Sequence, residues 1–154
     1  MSINKDGKYS IYDVAKYFLS KEKMTNKKLQ KIMYYAESWH LALFNQKLFD
    51  DTEFEAWVHG PVSPELYHEY KDNGWNPINE VDSPNVEFDP EILELLDSVW
   101  HTYGDQDGNS LEALTHSEAP WKRARIGLSP NVGTRRKIEL MDMHEYYKSI
   151  YNGD

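Results

Sequence analysis

The chain has 154 residues, no cysteine and a formal charge of −9. The missing cysteines exclude a disulfide framework, a thiolate nucleophile and a cysteine-based zinc site, and the acidic balance disfavours binding nucleic acid through the whole surface. Leu, Ile, Val and Phe supply only about a fifth of the residues, near the level below which charged chains stay disordered, but 11 Tyr, 5 Trp and 5 Met carry enough burial per residue for a domain with a Tyr/Trp-rich core.

Ser10 is a predicted cap for a helix over Ile11–Ser20, with Asp13 completing a capping box. Thr25 caps a longer helix over Asn26–Asn45, whose Leu29, Ile32, Met33, Ala36, His40 and Leu43 form one face, with Lys27, Lys28 and Lys31 largely off it. The period then changes. Thr52, Phe54, Ala56 and Val58 alternate with Glu53, Glu55, Trp57 and His59, a strand pattern that stops at Gly60-Pro61. Ser63 and Pro64 open a helix to about Asp72. Residues 74–88 read as loop, from which Ile78, Val81, Val86 or Phe88 is expected to supply a partner strand. Asp89 and Pro90 open a helix to Tyr103, stopped by Gly104. Asn109 with Glu112 is a capping box for Ser110–Ser117, Pro120 starts a short helix to about Ile126, and Asp142 with Glu145 starts a last one to Tyr151. The expected fold is therefore mostly α (α+β): a compact helical domain of about six helices, residues 1–154, with a small β-hairpin or short antiparallel sheet in the middle.

The charge is segmented. Residues 1–50 carry nine Lys against five acids, residues 51–118 carry one base, Lys71, against 17 acids, and residues 119–154 carry seven bases against four acids. Either the two basic ends pack beside the acidic middle, or the middle is an acidic face for a basic partner. The polar stretch Met1–Tyr9 lacks the apolar core of a signal peptide, and no apolar run approaches the ~18 residues of a membrane span, so a cytoplasmic protein with no membrane partner is expected. None of the six histidines makes a metal-binding pair by spacing, and there is no phosphate-binding glycine loop or Gly-x-Ser-x-Gly elbow. No catalytic residue, metal or cofactor is assigned, and the expectation is that the chain is not an enzyme.

Two stretches are unusually specified: Trp57-Val58-His59-Gly60-Pro61-Val62, leading into Tyr67, and Leu114-Thr115-His116 followed by Pro120-Trp121. A strand-to-helix corner accounts for the first, and core packing for the second. An interface anchored on Trp and Tyr accounts for both. Together with Lys28–Ala36 and Asp13–Leu19, in this order and spacing over about residues 10–150, they resemble the Panacea domain family, also known as the SocA-like antitoxin family or GepA-type phage-associated proteins. The resemblance implies a bacterial or prophage protein of mostly helical fold. It implies an antitoxin that neutralises a cognate toxin by direct contact with a toxin or host protein, by masking it or as an adaptor towards a protease. His59 departs from the aromatic or lysine-like residue that often precedes Gly-Pro-Val in the family.

The candidate partner-binding residues are Glu55, Trp57, His59, Gly60, Pro61, Val62, Tyr67, Thr115, His116, Pro120 and Trp121, with Glu53, Glu55 and Glu65 as a polar rim. The corner and the His116–Trp121 stretch are expected to lie near one another. The alternative is a nucleic-acid-binding phage or prophage regulator. Its basic patch would join Lys27, Lys28 and Lys31 to Arg123, Arg125, Arg135 and Arg136, although the overall charge makes nucleic acid the less favoured partner.

Overall fold

One helix, α2 (Asn26–Phe44), has 14 of its 19 residues buried, so it is the axis on which the rest packs and not a surface helix with one apolar stripe. The computed structural model describes residues 2–79 and 81–152, and among these it contains seven α-helices and one two-stranded sheet. Helices α1 (Ile11–Leu19), α3 (Pro64–Tyr70), α4 (Pro90–Tyr103), α5 (Gly108–Ser117) and α7 (Leu140–Asn152) all lie against α2, while α6 (Ala119–Ala124) packs on α5 and α7. A 3-10 turn, Lys71–Asn73, extends α3. The architecture is mostly α with a small β-hairpin, as the periodicities predict.

The helix boundaries show where local signals suffice. Thr25 Oγ1 accepts from Lys28 N at 3.1 Å, and Ser63 Oγ accepts from Leu66 N at 3.3 Å ahead of Pro64. Asn45 closes α2 in the left-handed conformation at φ 55°. Ser10 caps α1, but its partner is Asp51, not Asp13. Asp51 takes the Ser10 hydroxyl at 2.7 Å and the Ile11 N–H at 2.9 Å. Helix α5 is capped by Asp107, which accepts from Ser110 N at 2.8 Å. The expected cap partner Glu112 is drawn away to Lys27 at 2.6 Å. Helix α7 begins at Leu140, ahead of the expected start, and Asp142 pairs with Arg123 instead. In the cases of Asp51, Glu112 and Asp142, a distant partner takes a group that the local motif leaves available.

The strand partner also differs from the expectation. β1 (Glu55–Trp57) pairs with β2 (Gly60–Val62), so the hairpin is the glycine-proline corner itself, in register Glu55↔Val62, Ala56↔Pro61 and Trp57↔Gly60. Pro61 has no N–H, which an edge strand tolerates. On the other edge of β1, Ala56 N donates to Arg136 O at 2.8 Å and Ile138 N donates to Phe54 O at 2.9 Å. Ile78 pairs with Met24, through Ile78 N to Met24 O at 2.7 Å. A two-residue turn satisfies the hairpin locally, so the distant segment is not needed.

The core is aromatic. Tyr34, Tyr35, Tyr147, Phe18 and Phe49 are among its largest fully buried side chains, and Tyr35 stacks on Tyr103 with ring centroids 3.9 Å apart. Two expectations about α2 are corrected. Leu43 is 42% exposed, in the last turn ahead of the Asn45 reversal. Lys31, expected near the surface, is 1% exposed, because the hairpin covers it.

Candidate functional site

The two specified stretches meet. Trp121 Nε1 donates to the carbonyl oxygen of Trp57 at 2.9 Å, and the His116 ring stacks on Trp121 with centroids 3.9 Å apart. Thr115 bonds back to Glu112 O at 2.9 Å, as its place in a helix predicts. Its Oγ1 would lie 3.0 Å from a Cβ on Gly60. Gly60 has φ +108°, a conformation in which side chains are strained. The Lys31 side chain crosses directly over it, with Cε 2.5 Å from where a Cβ would be.

The helix break between α5 and α6 joins three parts of the fold. Glu118 is extended there, and its buried Oε1 accepts from Tyr35 Oη at 2.7 Å and Tyr147 Oη at 2.8 Å. Burial holds this carboxyl above its ordinary pKa despite the two donors. Residues Thr115–Trp121 therefore tie α2, α7 and the hairpin to one junction. Arg125, at the end of α6, is buried and donates to Ala56 O at 2.7 Å and Ser129 O at 3.2 Å.

Seven of the eleven candidate residues are buried: Glu55, Gly60, Pro61, Val62, Thr115, Pro120 and Trp121. They build the corner, and of them only Val62 also lines the cavity in front of the hairpin. Trp57, His59, Tyr67 and His116 reach the surface. The expected acidic rim is spent internally. Glu55 accepts from Trp57 Nε1 at 2.8 Å, Glu53 pairs with Lys137 at 2.7 Å, and Glu65 accepts from the Thr52 hydroxyl at 2.6 Å. Burial pushes the His116 imidazole below its ordinary pKa.

In front of the hairpin lies a half-open cavity of about 520 Å³. Trp57, Val58, Val62 and Tyr67 supply apolar lining, and Trp75, 77% exposed, stands at it too. Trp57 and Tyr67 meet edge to face at 5.0 Å. Lys27, Lys31 and Lys71 line it, with Asn26 and Gln30 of α2. Gln30 is engaged on both sides, donating to Ser63 O at 3.1 Å and accepting from Ser63 N at 2.8 Å. Lys31 Nζ donates to Pro61 O at 3.1 Å, and burial depresses its ammonium to about 7. From the sequence, Gln30 and Trp75 have no expected site role, and Lys31 is named only for the nucleic-acid alternative. The available signal was the position of Gln30 and Lys31 between Leu29 and the apolar run from Ile32.

Of the seven basic residues of the nucleic-acid alternative, two are buried, four make ion pairs and Arg136 donates to Ile126 O at 2.8 Å. Lys31 and Arg125 are buried. Lys27 pairs with Glu112, Lys28 with Glu22, Arg123 with Asp142 and Arg135 with Glu55. Ion pairs such as Lys21–Asp97, Lys27–Glu112 and Lys137–Glu53 instead join the basic ends to the acidic middle. Among the described residues, no cluster of three or more His, Asp or Glu is arranged to hold a metal ion, and no helix is long and apolar enough to cross a membrane.

Residues 29–122 match the family described as Antitoxin SocA-like, Panacea domain. That span runs from α2 to α6 and includes the hairpin and the α5–α6 junction. The chain belongs to this family. Antitoxin SocA of Caulobacter vibrioides (strain NA1000 / CB15N) is 29% identical to it, over 75% of this chain and 67% of the relative. No solved structure matches the chain. The Panacea match stops short of α1 and α7, although the resemblance read from the sequence extends to about residues 10–150. The family is one of antitoxins, which suggests a non-enzymatic regulatory role and a toxin as partner.

Proposed function

We propose that this Panacea protein is an antitoxin that neutralises a toxin by direct contact, through the face around the hairpin. The observation that carries the reading is the gathering of Trp57, His59, Tyr67 and Trp75 at one surface cavity, backed by the junction residues Thr115, His116 and Trp121. Trp and Tyr at the edge of a partly desolvated pocket are the side chains that dominate interface energies. The hairpin is held from beneath by the Trp121 indole and the Arg125 guanidinium, so these aromatics are presented with little ordering cost on binding.

The test is co-expression with the product of the adjacent gene. That product is expected to arrest growth alone, to be rescued by this chain and to co-purify with it. Trp57→Ala and Tyr67→Ala are expected to lose rescue while keeping wild-type helicity. If no adjacent or host protein is both toxic and rescued, the reading fails. The toxin's half-life during rescue separates masking from adaptor delivery to a protease: unchanged for masking, shortened for delivery.

A further inference from the structure

The cavity contains a buried cation whose hydrogen-bonding capacity is mostly unused. An ammonium has three N–H donors, and Lys31 Nζ spends one of them, on Pro61 O. Among the described residues no carboxylate makes an ion pair with it. The nearby Glu112 is held by Lys27 at 2.6 Å and by His59 at 3.3 Å. One carbonyl does not offset the burial of a full charge. Five residues earlier on the same helix and also in the cavity lining, Asn26 is 7% exposed, and its Oδ1 is buried without a hydrogen-bond partner. The lining holds three lysines, Lys27, Lys31 and Lys71, and no Asp or Glu. With Lys27 paired to Glu112, Lys31 and Lys71 make it a positive concavity in a chain of charge −9. Beside these polar groups stand the rings of Trp57 and Tyr67. The unmet demands are thus an anion for Lys31, an N–H for Asn26 and an apolar body for the rings. A peptide supplies all three within one or two residues, and the volume suits a ligand of that size.

We propose that this cavity takes a short peptide segment of the protein partner, with a carboxylate on Lys31 Nζ, a peptide N–H on Asn26 Oδ1 and an apolar side chain against Trp57 and Tyr67. This rests on the antitoxin reading for the identity of the partner, and it names the chemistry by which the partner is recognised. The carboxylate comes from a chain end or from an acidic side chain, and the two sources are separable by probe.

The experiment is calorimetry at pH 6, where Lys31 keeps its proton, with the NMR signals of the tryptophan indoles as a second readout, on the full chain. The probes are N-acetyltryptophan for a chain end, Ac-Trp-Asp-NH2 for an acidic side chain, N-acetyltryptophanamide as the uncharged control, and AMP as a phosphate. At least one carboxylate probe is expected to bind and shift the Trp57 and Trp75 indoles, at least tenfold more tightly than the amide. Lys31→Met, of similar length and without the charge, is expected to lose that preference. Asn26→Asp, which changes one atom, is expected to weaken the carboxylate probes at least tenfold and serves as the test if Lys31→Met does not fold. Equal binding of acid and amide, undiminished binding by both variants, or binding of AMP alone overturns the proposal. The cognate toxin separates the two readings. If Lys31→Met and Asn26→Asp capture it as well as wild type does, the cavity proposal falls and the antitoxin reading stands. If carboxylate probes bind as described but no toxin is rescued, the antitoxin reading falls and the chemistry of the cavity stands.

Discussion

Trp121 and Trp57 are joined across 64 residues of sequence by one hydrogen bond, from the indole N–H to a main-chain oxygen at 2.9 Å. The bond fixes the turn of the hairpin to the start of α6, and the face of the indole is shared by His116 at 3.9 Å and the Arg125 guanidinium at 5.1 Å. Trp121→Phe removes the donor and part of the ring volume. The expected loss is about 1–3 kcal/mol in urea unfolding, with Trp121→Ala losing about 3–5 kcal/mol. A Phe variant as stable as wild type would show that the bond contributes nothing.

Gly60 is fixed by two constraints, its φ of +108° and the Lys31 Cε that a Cβ would meet at 2.5 Å. Gly60→Ala is expected to cost about 2 kcal/mol or more, from backbone strain alone before the clash is added. Gly133, also at the cavity but with open space around it, is the control. Gly133→Ala is expected to stay within about 0.5 kcal/mol of wild type. Equal thermal midpoints for the two variants would refute the argument.

Most of the helices were legible because their signals are local. Ser63-Pro64, Pro90 with Gly104, and Thr25 mark their helices by rules that operate within one turn. What was not legible depends on groups far apart in sequence. The approach of Asp51 to Ser10, 41 residues away, and of Lys27 to Glu112, 85 residues away, re-partners caps that look complete locally. The burial of Lys31 was hidden for the same reason, since the Pro61 carbonyl that receives it lies 30 residues on. The motif residues themselves were visible, but a sequence does not say that Gly60, Pro61 and Trp121 face inward while Trp57 and Tyr67 reach the surface.

Arg125 serves as a clamp. Its Nη1 donates to Ala56 in the hairpin, and its Nη2 donates to Ser129 and Val132 in the loop before the segment that flanks β1. A lysine keeps the charge but not the fork that reaches both strands of contact. Arg125→Lys is therefore expected to release the loop. Amide exchange over residues 126–134 should rise at least tenfold while exchange in α2 stays at the wild-type rate, with a stability loss of about 2 kcal/mol. Unchanged exchange in that loop would refute the clamp.

Two buried groups of opposite type give the stability a recognisable pH dependence. Burial pushes the Glu37 carboxyl up to about 7, against the bond it accepts from Leu48 N. Burial also brings Lys31 down to about 7. From about pH 4.5 to 7 the folded chain keeps a proton on Glu37 that the unfolded chain has released, so the contribution of this group falls as pH rises. From about pH 7 to 10.5 the folded chain has released the Lys31 proton that the unfolded chain still holds, so the contribution of Lys31 rises with pH. Over its full range the Glu37 limb is on the order of 3 kcal/mol and the Lys31 limb on the order of 5 kcal/mol. Urea unfolding from pH 5 to 9 isolates them by difference, because titrations elsewhere are common to both chains. Wild type minus Glu37→Gln should decline between pH 5 and 7, and wild type minus Lys31→Met should climb between pH 7 and 9. A flat difference curve for either variant would mean that its side chain is hydrated in the folded state, and for Lys31 that would also remove the desolvated cation on which carboxylate recognition depends.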